Sequence, residues 1–360
     1  MRKKSALLAF LLILILAISG CSGRLRDQER KSVDFRTGTQ GLELRFPSNM
    51  PTKLFEGDNN IGFILEVRNR GAFPQNDVQE EKDIFQGRLF FGGFDPNIIE
   101  IDGEDPLVGD LKVGFEIVPA NFPLEGKSQF NNEGGIQGLS FKMKINDLPK
   151  GTSFSVYRPK IRAAINYYYQ TIAAPTICVD PQPESTTIRD KPCLFTDSIG
   201  VGSQGAPVAV TRVDQDVVRG VDSKSKLLYK IFIENVGTGR VISFSGVSGS
   251  GAIGAALPTI SVNPFTTGFR FQDLDKVDIV EVGFGAPTAG KTRSKSTAIP
   301  CTPKDRVRLI DNKGVIFCQF DATKEGIDSA FETPLFIKLK YAYQDTAEIQ
   351  LEVREAIEFG

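Results

Sequence analysis

Apolar and polar residues alternate along much of this chain with a period of two, as in strands that bury one face. Ile61, Phe63, Leu65 and Val67 alternate with Gly62, Ile64, Glu66 and Arg68, and Leu227, Tyr229, Ile231 and Ile233 alternate with Leu228, Lys230, Phe232 and Glu234. Further strands are predicted at Gly87 to Phe91, Leu111 to Val118, Leu139 to Ile145, Ile161 to Thr171, Val277 to Val282, Arg306 to Ile310, Val315 to Phe320 and Leu335 to Gln344. The run Asp311-Asn312-Lys313-Gly314 predicts a hairpin turn. Helical spacing is confined to Asp321 to Ala330. With 35 glycines and 20 prolines punctuating the strands, the expected fold class is all-β.

The alternation is absent at the start. Arg2, Lys3 and Lys4 precede an unbroken apolar run from Ala6 to Ile18, followed by Ile18-Ser19-Gly20-Cys21. The order of charge, apolar run and small residues reads as an export signal ending in a lipobox. The run, about 13 residues, is shorter than the roughly 20 that a membrane span needs. Residues 1–20 are therefore expected to be a signal peptide and Cys21 the lipidated residue of a lipoprotein, anchored at the membrane of the cell envelope and facing outward. Residues 21–40 are polar and charged and read as a tether, about 25 Å in reach for a flexible chain of that length.

Removing the signal takes away three cationic residues and moves the formal net charge from −1 to −4. Charges of both signs are interspersed without a basic block, so nucleic acid is not an expected partner. The chain contains no histidine. That excludes Ser-His-Asp and Cys-His nucleophilic sites, histidine-zinc sites and histidine facial-triad iron sites. Of five cysteines, four remain once Cys21 is set aside. Sequence proximity pairs Cys178 with Cys193 and Cys301 with Cys318, although four cysteines admit three connectivities. Loops of roughly 16 and 18 residues would each contribute about 3 kcal/mol in the chain-entropy view.

Two short motifs recur. Val67-Arg68-Asn69-Arg70-Gly71 matches Ile233-Glu234-Asn235-Val236-Gly237 at an offset of 166, and Tyr167-Tyr168-Tyr169-Gln170 matches Tyr341-Ala342-Tyr343-Gln344 at 174. Two strands that recur in the same order indicate a duplicated domain. The expected organisation is a first β-sandwich at 41–174, a proline-rich linker at 175–206 and a second β-sandwich at 207–360. A Cys178–Cys193 bridge would either fasten that linker or anchor the first domain's last strand.

A strand ending in x-V-x-N-x-G resembles the second-strand signature of CARDB-type and related immunoglobulin-like modules of prokaryotic surface proteins. On this resemblance the asparagine or glycine takes a positive φ to turn the chain. The Tyr-x-Tyr pattern is similar to a late sandwich strand in which a tyrosine packs its ring and bonds its hydroxyl. The resemblance implies two tandem immunoglobulin-like β-sandwich domains with a binding, adhesive or structural role, and no catalytic residue or cofactor. The expected partners are the membrane and an unidentified surface protein or polysaccharide. The alternatives are a carboxylate-based, carbohydrate-active hydrolase and a subunit of a larger envelope assembly accepting a partner strand.

Other patterns were weighed against ordinary loops. Asp95, Glu100, Asp102, Glu104 and Asp105 form an acidic stretch, and Asp273, Asp275 and Asp278 a second. Asp102, Glu104, Asp105, Asp273 and Asp275 are the weak calcium candidates, with Asp273 and Asp275 placed to share a strand face. Gly285 to Thr292 matches the phosphate-loop pattern but is followed by no amphipathic helix, and Gly246 to Gly251 lacks the second glycine of a nucleophile elbow. Both read as turn-rich loops. Phe90, Phe91 and Phe94 are candidates for stacking on sugars, with core packing the stronger expectation. No Asn-x-Ser/Thr acceptor occurs.

Overall fold

The computed structural model describes residues 35–74, 87–103, 108–111, 114–117, 124–149, 156–185, 191–219, 225–242, 264–265, 269–285 and 298–356. The first seven strands are β1 (Leu42–Arg45), β2 (Lys53–Phe55), β3 (Ile61–Asn69), β4 (Gly87–Gly92), β5 (Ile99–Gly103), β6 (Val108–Leu111) and β7 (Gly114–Ile117). Next come β8 (Ile136–Ile145), β9 (Val156–Tyr157), β10 (Lys160–Ala173), β11 (Thr176–Val179), β12 (Ser198–Gly200), β13 (Val208–Arg219) and β14 (Ser225–Asn235). The last are β15 (Arg240–Ile242), β16 (Lys276–Phe284), β17 (Cys301–Thr302), β18 (Arg306–Arg308), β19 (Lys313–Asp321), β20 (Phe331–Gln350) and β21 (Glu352–Arg354). The all-β expectation holds: among the described residues the one helical element is a 3₁₀ turn at Phe271–Asp273.

A long central sheet runs β18-β16-β20-β10-β4-β7-β6, with β11 and β15 also pairing to β20. The two smaller sheets are β1-β3-β8-β5 and β12-β13-β14-β19-β17. Both pack on the same face of the long one. Phe63 on β3 and Phe141 on β8 meet Phe91 on β4, with ring centroids 6.0 and 5.0 Å away. Tyr229 on β14 and Phe320 on β19 meet Phe284 on β16, at 5.9 and 4.7 Å. Burying rings of this size stabilises the fold by roughly 1.5–3 kcal/mol each. Three further strands, β2-β21-β9, tie residues near the C-terminus to the first half. Phe35–Gly360 forms one compact unit.

The halves are joined by β10 and β20, which pair antiparallel over fourteen residues. Their register places Tyr167 opposite Tyr343 and Tyr169 opposite Tyr341, with Tyr168 opposite Ala342 at the centre. Shifting by the repeat offset of 174 carries each of these pairs onto another, so the ladder has a local pseudo-twofold axis at Tyr168 and Ala342. The segment expected as a linker carries β11, which pairs with β20, and β12, which pairs with β13.

Both repeated motifs make the same hydrogen bonds. The Tyr167 hydroxyl accepts from Leu42 N–H at 2.9 Å and that of Tyr341 from Val208 N–H at 3.3 Å, and Leu42 and Val208 are 166 residues apart. The Tyr169 hydroxyl accepts from Phe73 N–H at 3.3 Å and that of Tyr343 from Gly239 N–H at 2.9 Å, again 166 apart. Asn69 Nδ2 donates to Phe73 O at 2.8 Å, as Asn235 Nδ2 does to Gly239 O at 3.1 Å.

The positive φ expected at these asparagines and glycines is not found: the left-handed residues lie elsewhere, at Asn60, Asp275, Asp311 and Asn312 and at other glycines. The asparagine is instead a side-chain clasp on the turn. Gly71 and Gly237 make room for a tyrosine, since a Cβ at either would overlap the hydroxyl of Tyr169 or Tyr343.

Two other expectations change, and the hairpin expected at Asp311 to Gly314 is present. Leu111 to Val118 is not one strand, because β6 and β7 pair as a hairpin with Leu111 opposite Gly114, a break that the alternation of Leu111, Val113, Phe115 and Ile117 does not mark. Asp321 to Ala330 is a turn, not a helix. Its one i→i−4 bond is Glu325 N–H to Asp321 O at 3.3 Å, Gly326 N–H bonds Thr323 O at 3.1 Å, Ile327 N–H reaches back five residues to Ala322 O at 2.9 Å, and Gly326 at φ 69° diverts the chain. The Asp311-Asn312 turn is a tight hairpin closed by an Ile310–Lys313 bridge, with both central residues left-handed as a type I′ turn requires.

Gly71→Ala and Gly237→Ala are each expected to destabilise the fold by about 1–3 kcal/mol through overpacking against the tyrosine. Tyr343→Phe is expected to cost a similar ~1–3 kcal/mol, because Gly239 N–H loses its partner. Tyr229 gives the opposite sign. Among the described residues its buried hydroxyl has no partner, and the repeat-equivalent residue is Phe63. Tyr229→Phe is therefore expected to gain about 1 kcal/mol. Urea midpoints check all four, and a Tyr229→Phe protein less stable than its parent contradicts the account.

Candidate functional site

The outer faces of the two smaller sheets each carry a groove at the same place in the repeat. In the first half it is lined by Phe63, Ile64, Ser140 and Phe141, with Pro47 and Met50 alongside, and holds about 320 Å³. In the second half it holds about 650 Å³. Tyr229 and Lys230 there stand 166 residues after Phe63 and Ile64, and Phe317 and Cys318 lie opposite them as Ser140 and Phe141 do in the first half.

Strand alternation exposes the lining of the larger groove. On β14, Leu228, Lys230 and Phe232 face outward, while Tyr229 and Ile231 face the core. Phe317 on β19 is 57% exposed and lies across from Lys230. The cationic groups stack on the rings: Arg212 lies 3.9 Å from the Phe232 centroid, and Lys230 lies 4.9 and 5.8 Å from Phe232 and Phe317. The carboxylates are held as well. Asp214 Oδ1 accepts from Ser198 at 2.7 Å and pairs with Arg212 at 3.0 Å, and Asp216 Oδ1 accepts from Val217 N–H at 2.8 Å. Pro300 and Gln319 complete a floor and rim in which apolar surface predominates.

A third, polar cleft of about 190 Å³ lies where the halves meet, lined by Glu43, Tyr167, Tyr343 and Asp345 among others. Asp345 Oδ2 accepts from Leu44 N–H at 3.1 Å. Burial, with a smaller contribution from Glu43, raises its carboxyl from an ordinary 3.8 to about 6. At the matching repeat position the chain carries Thr171, whose hydroxyl donates to Val208 O at 2.5 Å and lies 2.9 Å from the Tyr341 hydroxyl. Since the threonine proton goes to the carbonyl, Tyr341 donates to Thr171. Burial drives the Tyr167 and Tyr341 hydroxyls well above their usual pKa, so both remain protonated donors.

Cys178–Cys193 and Cys301–Cys318 are both bonded, at S–S distances of 2.04 and 2.05 Å. The first bridge closes a loop in which Lys191 Nζ is held by Asp180 at 2.6 Å and by the carbonyls of Gln182 and Pro183 at 2.5 and 2.9 Å. The second spans β17 and β19 beside the larger groove.

Cys21 lies outside the described residues, as do Glu104, Asp105, the 246–251 loop and all of the phosphate-loop match except Gly285. Asp102 lies in β5, opposite Lys142. Asp273 and Asp275 do not share a strand face. Asp273 closes the 3₁₀ turn, Asp275 is left-handed at φ 60°, and Asp278 on β16 is paired with Arg306. Among the described residues no three cysteine or carboxylate groups converge to hold an ion. Phe90 is buried, while Phe91 and Phe94 pack against the core, in line with the stronger of the two expectations for these rings. The exposed ring of the larger groove is Phe317, predicted as part of a strand but not as a surface group. Its odd position between Ile316 and Cys318, both inward, was the available signal.

No protein-family model matches the chain, and no curated protein matches it in sequence.

The sign of the Asp345 effect is opposite to that of most carboxylates. Between pH 4 and pH 6 the folded state holds a proton that the unfolded chain releases, so this group's contribution falls as pH rises through that window. Asp345→Asn is expected to match the parent near pH 4 and exceed it by on the order of 2 kcal/mol at pH 7.5. Urea titrations at the two pH values check this, and a variant weaker at pH 7.5 than at pH 4, relative to the parent, contradicts it.

Proposed function

We propose that this chain is a lipoprotein of the cell envelope, moored outside the cell through Cys21, whose two immunoglobulin-like halves bind a surface partner without catalysing a reaction. The observation that carries this reading is the pair of closed disulfides in a chain that opens with an export signal. Such bonds persist in oxidising compartments and are scarce in the cytosol. The repeated tyrosine and asparagine hydrogen bonds support the duplicated-module reading. The halves differ from separate beads in sharing the β10–β20 ladder, which fixes the two grooves in one rigid frame.

Anchoring explains how modest contacts suffice. A binding surface confined near a membrane acts at a high effective concentration, so weak individual contacts hold.

Metabolic labelling with an alkyne fatty acid in a bacterial host tests the anchor. The parent protein is expected to take up label and partition with membranes, and Cys21→Ser to lose the label and most of the membrane fraction. A parent that retains its leader, takes no label and keeps free thiols at all four downstream cysteines overturns the proposal.

A further inference from the structure

We infer that the larger groove, on the outer face of β13, β14 and β19, is a binding site for a neutral saccharide; this deepens the binding role proposed above and rests on it. At about 650 Å³ the groove lies within the roughly 300–1,000 Å³ typical of small-molecule sites. Its floor is apolar and nearly flat, as the surface of a sheet is: Leu228, Phe317 and Pro300 present faces suited to the C–H side of a sugar ring.

Around that floor stand Asp214, Asp216 and Gln319, which accept hydrogen bonds, and Gln319 and Lys230 also donate. A hydroxyl-rich ring offers donors and acceptors to both kinds. Asp214 and Asp216 are pre-oriented by Ser198, Arg212 and the Val217 N–H, each through its Oδ1. Lys230 is turned onto the rings of Phe232 and Phe317. An anionic ligand would meet the two carboxylates. A wholly apolar ligand would strip water from the polar rim without replacing its hydrogen bonds.

Comparison with the sister groove sharpens the assignment. At equivalent positions the first half has Ser140 for Phe317, Gly62 for Leu228 and Ile64 for Lys230, and the groove is half as large. Both halves provide the same paired strands, so that framework alone does not account for the outward ring of Phe317 and the polar rim, which belong to the second half.

The test uses the mature, detergent-solubilised protein with cellobiose and N,N′-diacetylchitobiose as neutral probes and a sulfated heparin disaccharide as anionic control. Saturation-transfer NMR and calorimetry are the readouts. Saturable binding of at least one neutral probe at about 1 mM or tighter is expected. Phe317→Ala should weaken it about tenfold or more through loss of the stacking face, and Asp216→Asn roughly fivefold. Ile64→Ala in the sister groove should leave it unchanged. If Phe317→Ala lowers the thermal midpoint, Gln319→Ala at an exposed position supplies the same comparison. The inference is overturned if no neutral probe saturates, if the heparin disaccharide binds as well, or if the Phe317 and Asp216 variants bind like the parent. A labelled, membrane-bound protein without saccharide affinity defeats this inference alone, whereas an unlabelled protein that binds cellobiose defeats only the anchoring.

Discussion

A phenolic hydroxyl buried in a protein costs free energy unless it finds a partner, and this fold is organised around four that do. Tyr167, Tyr169, Tyr341 and Tyr343 project from one face of the β10–β20 ladder, and every hydroxyl meets a backbone N–H on the facing layer. Hydrophobic packing holds the layers together but is indifferent to small slides between them. Four directional bonds are not. They set where β1 and β13 sit over the long sheet, and with them the sheets that carry the grooves.

Around this centre the halves have diverged. Thr171 and Asp345 occupy matching places, yet one is a neutral donor and the other a carboxylate whose proton is held unusually tightly. Each reaches across to the first strand of the opposite half, Thr171 to Val208 and Asp345 to Leu44. Phe63 and Tyr229 occupy matching core places, whereas Ser140 and Phe317 give the two outer faces different surfaces. The two halves thus share the interlayer bonds and differ in what faces solvent.

Much of the strand content was legible because one-sided burial imposes a period of two, plain in β3, β8, β14 and β19. The shared sheet was not. β10 is buried on both faces from Ala163 to Thr171, so its sequence loses the alternation that would have shown which residues face which layer. The short strands β11 and β12 lie among prolines, and their pairing is decided by partners far away in sequence. The Asn-x-Gly motif was visible but its mechanism was not, because the need for a bare Cα at Gly71 arises from a tyrosine about a hundred residues on. The larger groove was hidden for a related reason: no local pattern announces that an outward phenylalanine, a proline just before another strand and two aspartates will share one face.

β1 and the opening residues of β13, before β12 pairs with it, have outward backbone N–H groups already occupied by side chains. Leu42 and Leu44 donate to Tyr167 and Asp345, while Val208 and Val210 donate to Tyr341 and Gln204. An unpaired strand rim is an invitation to polymerise. Here both stretches are closed from within, so copies crowded side by side have no template there for zipping into fibres, and neighbours at these places meet side chains instead of a ladder.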